Sequence, residues 1–282
     1  MNSGYLYGAA TVAVWAGFVL LARLAGHHGL NGYDLTALRF GVAAIFLLPA
    51  WLFWHRVPLF NRRMLALVAS GGIGYALCVY SAFRFSPASH GAVLLSGILP
   101  FFVTLMAWAV LHEIPSRARW LALGVIGLGV LCLARYSLAG LQDSWPGDLL
   151  LVTASALWAL YTVLVKRWAF RPWDITIGVA LLSALLYLPV YALLLPKGLP
   201  DASWTTLIVQ GVFHGVLVVI VAMLTFMQAM ARLGPARLGA VMATVPAVAG
   251  LGAVLVLGEP FSWLLVTGLL LTSAGAWLGS RA

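Results

Sequence analysis

Ten stretches of the chain are apolar on every side for about the 20 residues a helix needs to cross the hydrocarbon core of a bilayer. They cover residues 4–24, 34–54, 63–84, 90–111, 117–135, 147–168, 174–195, 204–230, 236–257 and 262–280. None alternates apolar and polar residues at period two, as the strands of a membrane barrel would. The connections between them are short and leave no room for a soluble domain. The pattern predicts an all-α integral membrane protein with ten transmembrane helices.

Composition narrows the class further. Hydrophobic types make up 63% of the 282 residues and charged types only 8%, against about 25% charged in a soluble domain. That excludes an ordinary soluble globule, a disordered chain and a disulfide scaffold. Cys78 and Cys132 lie inside apolar runs, without metal-ligand spacing, and read as small buried apolar residues. The first span begins beside Met1 with no basic leader ahead of Arg23, so it reads as a permanent helix rather than a cleaved signal.

The formal net charge of +9 changes meaning in this setting. In a soluble protein it would suit nucleic acid; here no nucleic-acid partner is expected, and the charge belongs to the loops. Eleven of the 16 basic residues fall after even-numbered spans or at the C-terminus: Arg56, Arg62, Arg63, Arg117, Arg119, Lys166, Arg167, Arg171, Arg232, Arg237 and Arg281. Odd-numbered connections hold Arg23, Arg84, Arg135 and Lys197, and Arg39 lies inside the second span. Basic loops stay on the cytoplasmic side. Both termini are therefore expected in the cytoplasm, in a chain integral to the bacterial inner membrane.

The two halves, residues 1–140 and 141–282, repeat one another. Gly4 and Trp15 match Gly147 and Trp158, Asp34 matches Asp174, and Pro49 matches Pro189. SPASHGAV (86–93) matches GPARLGAV (234–241), Pro100 matches Pro246, and LHE (111–113) matches LGE (257–259). The order of these matches is preserved across five spans, which points to duplication. Five is odd, so the second copy enters the membrane upside down. Inverted repeats are how many secondary transporters build alternating access around a site near the midplane.

The chain resembles the EamA-type branch of the drug/metabolite transporter superfamily. The likeness rests on Trp15 and Trp158, on Leu38, Arg39 and Phe40, and on the L-x-E pattern ending at Glu113 and Glu259. It implies two inverted five-helix units around a cavity lined mainly by helices 1, 3, 4, 6, 8 and 9, with helices 5 and 10 as outer braces. It also implies export of amino acids and other small metabolites, with aromatic amino-acid exporters as one candidate group. The second copy departs from the pattern at Val179, where Arg39 has its counterpart.

Polar groups at membrane depth are costly unless they face a cavity or a partner helix. The acids Asp34, Glu113, Asp143, Asp148, Asp174, Asp201 and Glu259 all fall at helix ends or in loops, which argues against ion coupling through a buried carboxylate. Asp34 and Asp174 read as helix N-caps. Glu113 and Glu259 are expected to pair with loop bases or free amides. Arg39 reads first as a side chain snorkelling to the outer surface; the sharper alternative pairs it with a carboxylate, from Asp34 or from a passing solute.

The candidate solute lining is Trp15, Tyr75, Tyr80, His90, Ser96, Trp158, Tyr161, His214, Gln228 and Thr244. These supply an apolar, aromatic wall with a few placed polar groups, as small-ligand sites require. For each, ordinary helix packing is the bland reading, and His90 and His214 serve equally well as satisfied interhelical bonds. Tyr80 and Gln228 correspond across the repeat. Trp51, Trp54, Trp168, Trp173 and Trp204 suit interfacial belts. Pro100 and Pro246 sit near the middle of the fourth and ninth spans, where matched kinks fit either hinges or static bends.

No phosphate loop, zinc spacing or nucleophile motif stands in a plausible loop, so neither a cofactor nor an enzymatic reaction is expected. The partners expected are the lipid bilayer and a small organic solute such as an amino acid. The rival readings are a membrane-embedded lipid-modifying enzyme and a non-transporting regulatory protein. Within transport, the rival is an exporter of cationic drugs.

Overall fold

A computed structural model describes residues 3–139 and 144–281. Asp143 and the expected boundary between residues 140 and 141 lie outside the described residues. The described residues form helices joined by short turns and contain no strand. In chain order these are α1 (Ser3–His27), α2 (Gly32–Phe53), α3 (Arg62–Ala82), α4 (Ala88–Leu111) and α5 (Arg117–Ala139). They continue with α6 (Trp145–Arg167), α7 (Pro172–Leu194), α8 (Trp204–Gly234), α9 (Arg237–Leu257) and α10 (Trp263–Ser280). Among the described residues nine of these helices, all but α5, are long and apolar enough to cross a membrane. Their outer surfaces carry bare apolar side chains, with Leu193 80% and Leu255 82% exposed. Such surface is stable against lipid, not water. The protein is a multi-pass helical membrane protein.

Local chemistry sets the helix ends. Asn31 and Asn61 cap α2 and α3, and Ser203 and Ser262 cap α8 and α10, each by accepting a first-turn N–H on its side-chain oxygen. The expectation that Asp34 and Asp174 are N-caps is corrected. Each sits in the first turn of its helix, behind Asn31 and Arg171 respectively. Asp34 completes a capping box by accepting from the backbone N–H of Asn31. The helices α4 and α9 end on left-handed residues, His112 (φ 57°) and Gly258 (φ 67°). Glycine takes that conformation freely, whereas histidine gives up roughly 1–2 kcal/mol there.

Several helices are interrupted. Residues 68–72 of α3, 92–97 of α4 and 212–221 of α8 are wound as π-helix, a widened form that recurs at functional sites. In α4 the winding breaks at Ile98 and restarts with Pro100 in its first turn; in α9 it breaks at Ala243–Thr244 and restarts with Pro246 in its first turn. Both prolines thus occupy the helical position that needs no N–H donor. Between α8 and α9 the chain turns at Gly234, whose φ of 75° favours glycine.

Polar contacts sort the connections into two sets. One set joins the α1–α2, α3–α4, α5–α6, α7–α8 and α9–α10 connections, through bonds such as Gly198 to Asp34, Ser86 to Ser144 and Ala88 to Glu259. The other joins the α2–α3, α4–α5 and α6–α7 connections and the C-terminus, through His55 to Asp174, Lys166 to Glu113, and Arg119 to the carbonyl of Gly279. These are the odd end and the even end of the bundle. Helix pairs in contact include α5 with α10, α2 with α7 and α8, α1 with α8 and α9, α6 with α3 and α4, and α7 with α3. Exchanging each helix with the one five places along maps that set onto itself. At the α5–α10 contact the backbones nearly touch: a Cβ on Gly129 would stand 2.8 Å from the Gly268 oxygen, and one on Gly275 2.8 Å from the Ala122 oxygen.

Candidate functional site

Five helices converge on one buried cluster. Phe18 comes from α1, Arg39 and Phe40 from α2, Tyr75 and Tyr80 from α3, Trp158 and Tyr161 from α6, and Phe213 and His214 from α8. Close helix approach makes this possible. A Cβ on Gly71, in the π-helical turn of α3, would lie 2.3 Å from the Tyr161 ring, so glycine is what lets α6 bring that ring in.

Arg39 does not snorkel; that expectation is overturned. Only 6% of the residue is exposed, and its guanidinium carbon lies 5.8–5.9 Å from the ring centres of Phe18, Phe40 and Tyr75. Aromatic faces attract cations by about 0.5–2 kcal/mol each, which offsets part of the burial cost. Asp34 is not its partner. That carboxylate is fully buried and already accepts from the Tyr191 hydroxyl (2.6 Å) and from the N–H groups of Asn31 and Gly198. Among the described residues Arg39 forms no ion pair.

The polar bonds in the cluster form one chain. Arg39 Nη1 donates to the Tyr80 hydroxyl oxygen at 3.4 Å, and that hydroxyl lies 3.0 Å from His214 Nδ1. A guanidinium only donates, so the Tyr80 oxygen accepts from Arg39, while the sense of the Tyr80–His214 bond follows the tautomer of the imidazole. Both Arg39 Nε and His214 Nε2 are buried and have no hydrogen-bond partner, so the cluster holds one idle N–H donor, on Arg39, and one unpartnered imidazole nitrogen.

Rings enclose this chain of bonds. Tyr75 lies 4.8 Å from Trp158 and Trp158 lies 4.9 Å from Tyr161, centre to centre, and Phe18 meets His214 edge-on at 5.5 Å. A cavity of about 310 Å³ opens from the odd end down to Tyr80, between α1, α2 and α3. Arg23 and Arg84 stand in its wall, and no carboxylate side chain is among the described residues that line it.

The profile of the EamA-like transporter family matches residues 2–135 and, a second time, 145–281. The chain belongs to the EamA-like transporter family. It is 28% identical over 174 residues to an uncharacterized transporter of Archaeoglobus fulgidus, covering 59% of each protein. It is 29% identical over 94 residues to an uncharacterized transporter of Synechocystis sp., covering 33% of this chain and 28% of that one. The matched chain thus spans less than two thirds of the length of either relative. Similarity to the aromatic amino acid exporter YddG of Ancylobacter novellus is 24% over 230 residues, 75% of each chain. A solved crystal structure shares the fold, with a TM-score of 0.67 at 21% identity, over 98% of this chain and 96% of that one.

Within this EamA-like chain the ten residues singled out from the sequence separate into groups. Tyr75, Tyr80, Trp158, Tyr161 and His214 meet in the cluster. Trp15 is half-buried and stacks on Phe226 of α8 at 5.6 Å, the crossing that α6 and α3 make with Trp158 and Tyr75. His90 is buried and bonds Asp148 at 2.8 Å, a carboxylate shared with Ser86 and Ser144 near the odd end. Ser96 is half-buried on the π-helical turn of α4. Gln228 and Thr244 are exposed; Gln228 accepts from Arg232, and the Thr244 hydroxyl donates to the Val241 carbonyl. Sequence reasoning missed Phe18 and Phe213. Phe18 had a signal, three residues after Trp15 and so on the same face of α1.

Glu113 and Glu259 behave as expected, one in each way. Glu113 pairs with Lys166 at 2.6 Å, and Glu259 accepts from the free N–H groups of Ala88 (2.5 Å) and Ser89 (2.9 Å) at the start of α4.

Proposed function

We propose that the chain is a secondary transporter that exports small organic metabolites, amino acids including aromatic ones, by alternating access. In this reading residues 1–140 and 141–282 are two inverted five-helix units, α5 crosses the bilayer as the other nine helices do, and both termini face the cytoplasm of a bacterial inner membrane. The solute site is the cluster around Tyr75, Tyr80, Trp158, Tyr161 and His214, with Trp15, His90, Ser96, Gln228 and Thr244 along the path, and Pro100 and Pro246 act as hinges.

The observation that carries this reading is the single buried cluster assembled from both halves, with unpaired polar atoms and an opening to one end. Packing alone gives no reason to bury a cation without a counter-charge, since the desolvation penalty is several kcal/mol per ion. Three further facts support it. The helix pairs map onto themselves when helices five apart are exchanged, basic residues concentrate at the even end, and an aromatic amino acid exporter is among the relatives.

The test is counterflow of labelled amino acids in proteoliposomes, with the parent, Trp158→Ala and His214→Ala. We expect accumulation by the parent and at least a tenfold loss in both variants. Parent vesicles that accumulate nothing from a panel of amino acids, nucleosides and cationic dyes would sink the transport reading. Variants that transport like the parent would sink the site.

A further inference from the structure

Resting on the reading of this cluster as the solute site, we propose that the solute it accepts is a small aromatic carboxylate, bound through its carboxylate by Arg39. The functional reading leaves open which charged group of the solute the site holds. The geometry points to the carboxylate.

The first reason is the direction of the hydrogen bonds. Arg39 donates to Tyr80, whose hydroxyl also bonds His214 Nδ1, and a guanidinium has only donors to offer. Two atoms are left over, Arg39 Nε and His214 Nε2, both sealed from solvent, and the one on Arg39 is always an N–H. What satisfies idle buried donors is an acceptor, and a carboxylate offers two oxygens that suit a guanidinium fork. An ammonium would bring only donors, none of which Arg39 can accept. It would also bring positive charge beside an arginine that has no ion-pair partner among the described residues.

The second reason is the approach. The cavity that leads to Tyr80 carries Arg23 and Arg84 in its wall and no described carboxylate. A cleft with low-dielectric walls and one sign of charge concentrates ions of the opposite sign. Its volume of about 310 Å³ lies at the lower end of the range for small-ligand pockets. The third reason is the wall beside Arg39. Tyr75, Trp158 and Tyr161 follow one another at 4.8 and 4.9 Å, an arrangement on which a flat apolar ring stacks. Phe18 borders both Arg39 and His214. An anionic head and an aromatic body are therefore recognised by adjacent parts of one site.

The experiment measures binding to the purified full chain in detergent, by ligand-induced thermal stabilisation. Three probes differ only in their charged groups: 3-phenylpropanoate has a carboxylate alone, phenylalanine a carboxylate and an ammonium, and phenethylamine an ammonium alone. We expect the parent to bind the two carboxylates and to bind phenethylamine at least tenfold more weakly. Arg39→Gln should lower carboxylate affinity at least tenfold without improving that of phenethylamine. Arg84→Gln, at an exposed position, should fold as the parent does. It should weaken carboxylate binding two- to threefold at low salt and not at high salt, where screening removes the mouth's field.

Phenethylamine binding as well as the carboxylates, no stabilisation by either carboxylate, or Arg39→Gln binding them like the parent would each overturn the proposal. If Arg39→Gln fails to fold, the order of the three probes on the parent decides. Carboxylate binding without counterflow of any solute would instead overturn the transport reading and leave this inference standing.

Discussion

The odd and even ends of the bundle use the same residue types to different effect. At the odd end, carboxylates are held by donors fixed in the backbone or buried. Asp34 takes the N–H groups of Asn31 and Gly198 and the Tyr191 hydroxyl, Glu259 takes the first two N–H groups of α4, and Asp148 takes His90, Ser86 and Ser144. At the even end, carboxylates meet partners that are open to solvent. The Lys166 and Glu113 side chains are 63% and 50% exposed, and those of His55 and Asp174 are 41% and 27% exposed. Glu113 and Glu259 make the contrast sharpest, because they hold matched places in the two halves. One is seated on a neighbouring helix terminus and the other only reaches a lysine. The lesson is that repetition of sequence does not impose repetition of contacts. In this conformation the odd end is stitched between α2 and α7 and between α4 and α9, and the even end is latched loosely.

The difference can be broken or sharpened by substitution. The largest effect is expected for Asp34→Asn. The amide keeps the shape but turns an N–H toward donors that now face an oxygen, and each charge-assisted bond contributes about 1.5–3 kcal/mol. A loss of about 3 kcal/mol in thermal unfolding in detergent is expected. Glu259→Gln retains one acceptor and loses its charge at a helix N-terminus, so a loss of about 1–2 kcal/mol is expected. A cysteine placed at Ser89 should then label faster in that background than alone. Glu113→Gln should cost less than about 1 kcal/mol, as exposed pairs do. The smallest effect is that of 0.5 M salt, which should lower the stability of the parent and leave that of Glu113→Gln nearly unchanged. If Glu113→Gln proved as destabilising as Glu259→Gln, the two ends would not differ as described.

Span positions were legible because hydropathy alone sets them. The stretch expected at 174–195 is the helix Pro172–Leu194, and that at 262–280 is Trp263–Ser280. Side-chain direction was less legible, since spans apolar on every side do not reveal which face turns inward. That is why Gln228 and Thr244, chosen beside Tyr75 and Tyr80, are exposed. The burial of Arg39 depends on Phe18 and Tyr75, which lie on other helices. No local pattern around Arg39 signals them. Asp34 and Asp174 look like caps in the sequence because apolar runs locate a helix start only to within a turn, and the helices begin two residues earlier, at Gly32 and Pro172. The prolines gave the place of the breaks in α4 and α9 but not the π-helical winding before Pro100, which composition does not encode.

The near-touching backbones of Gly129 and Gly268, and of Gly275 and Ala122, leave α5 and α10 almost no freedom to slide past one another. A larger side chain at any of these glycines would force them apart. In the proposed cycle, a seam this close would shift least as the two ends open in turn, and the α5–α10 pair would act as its axle.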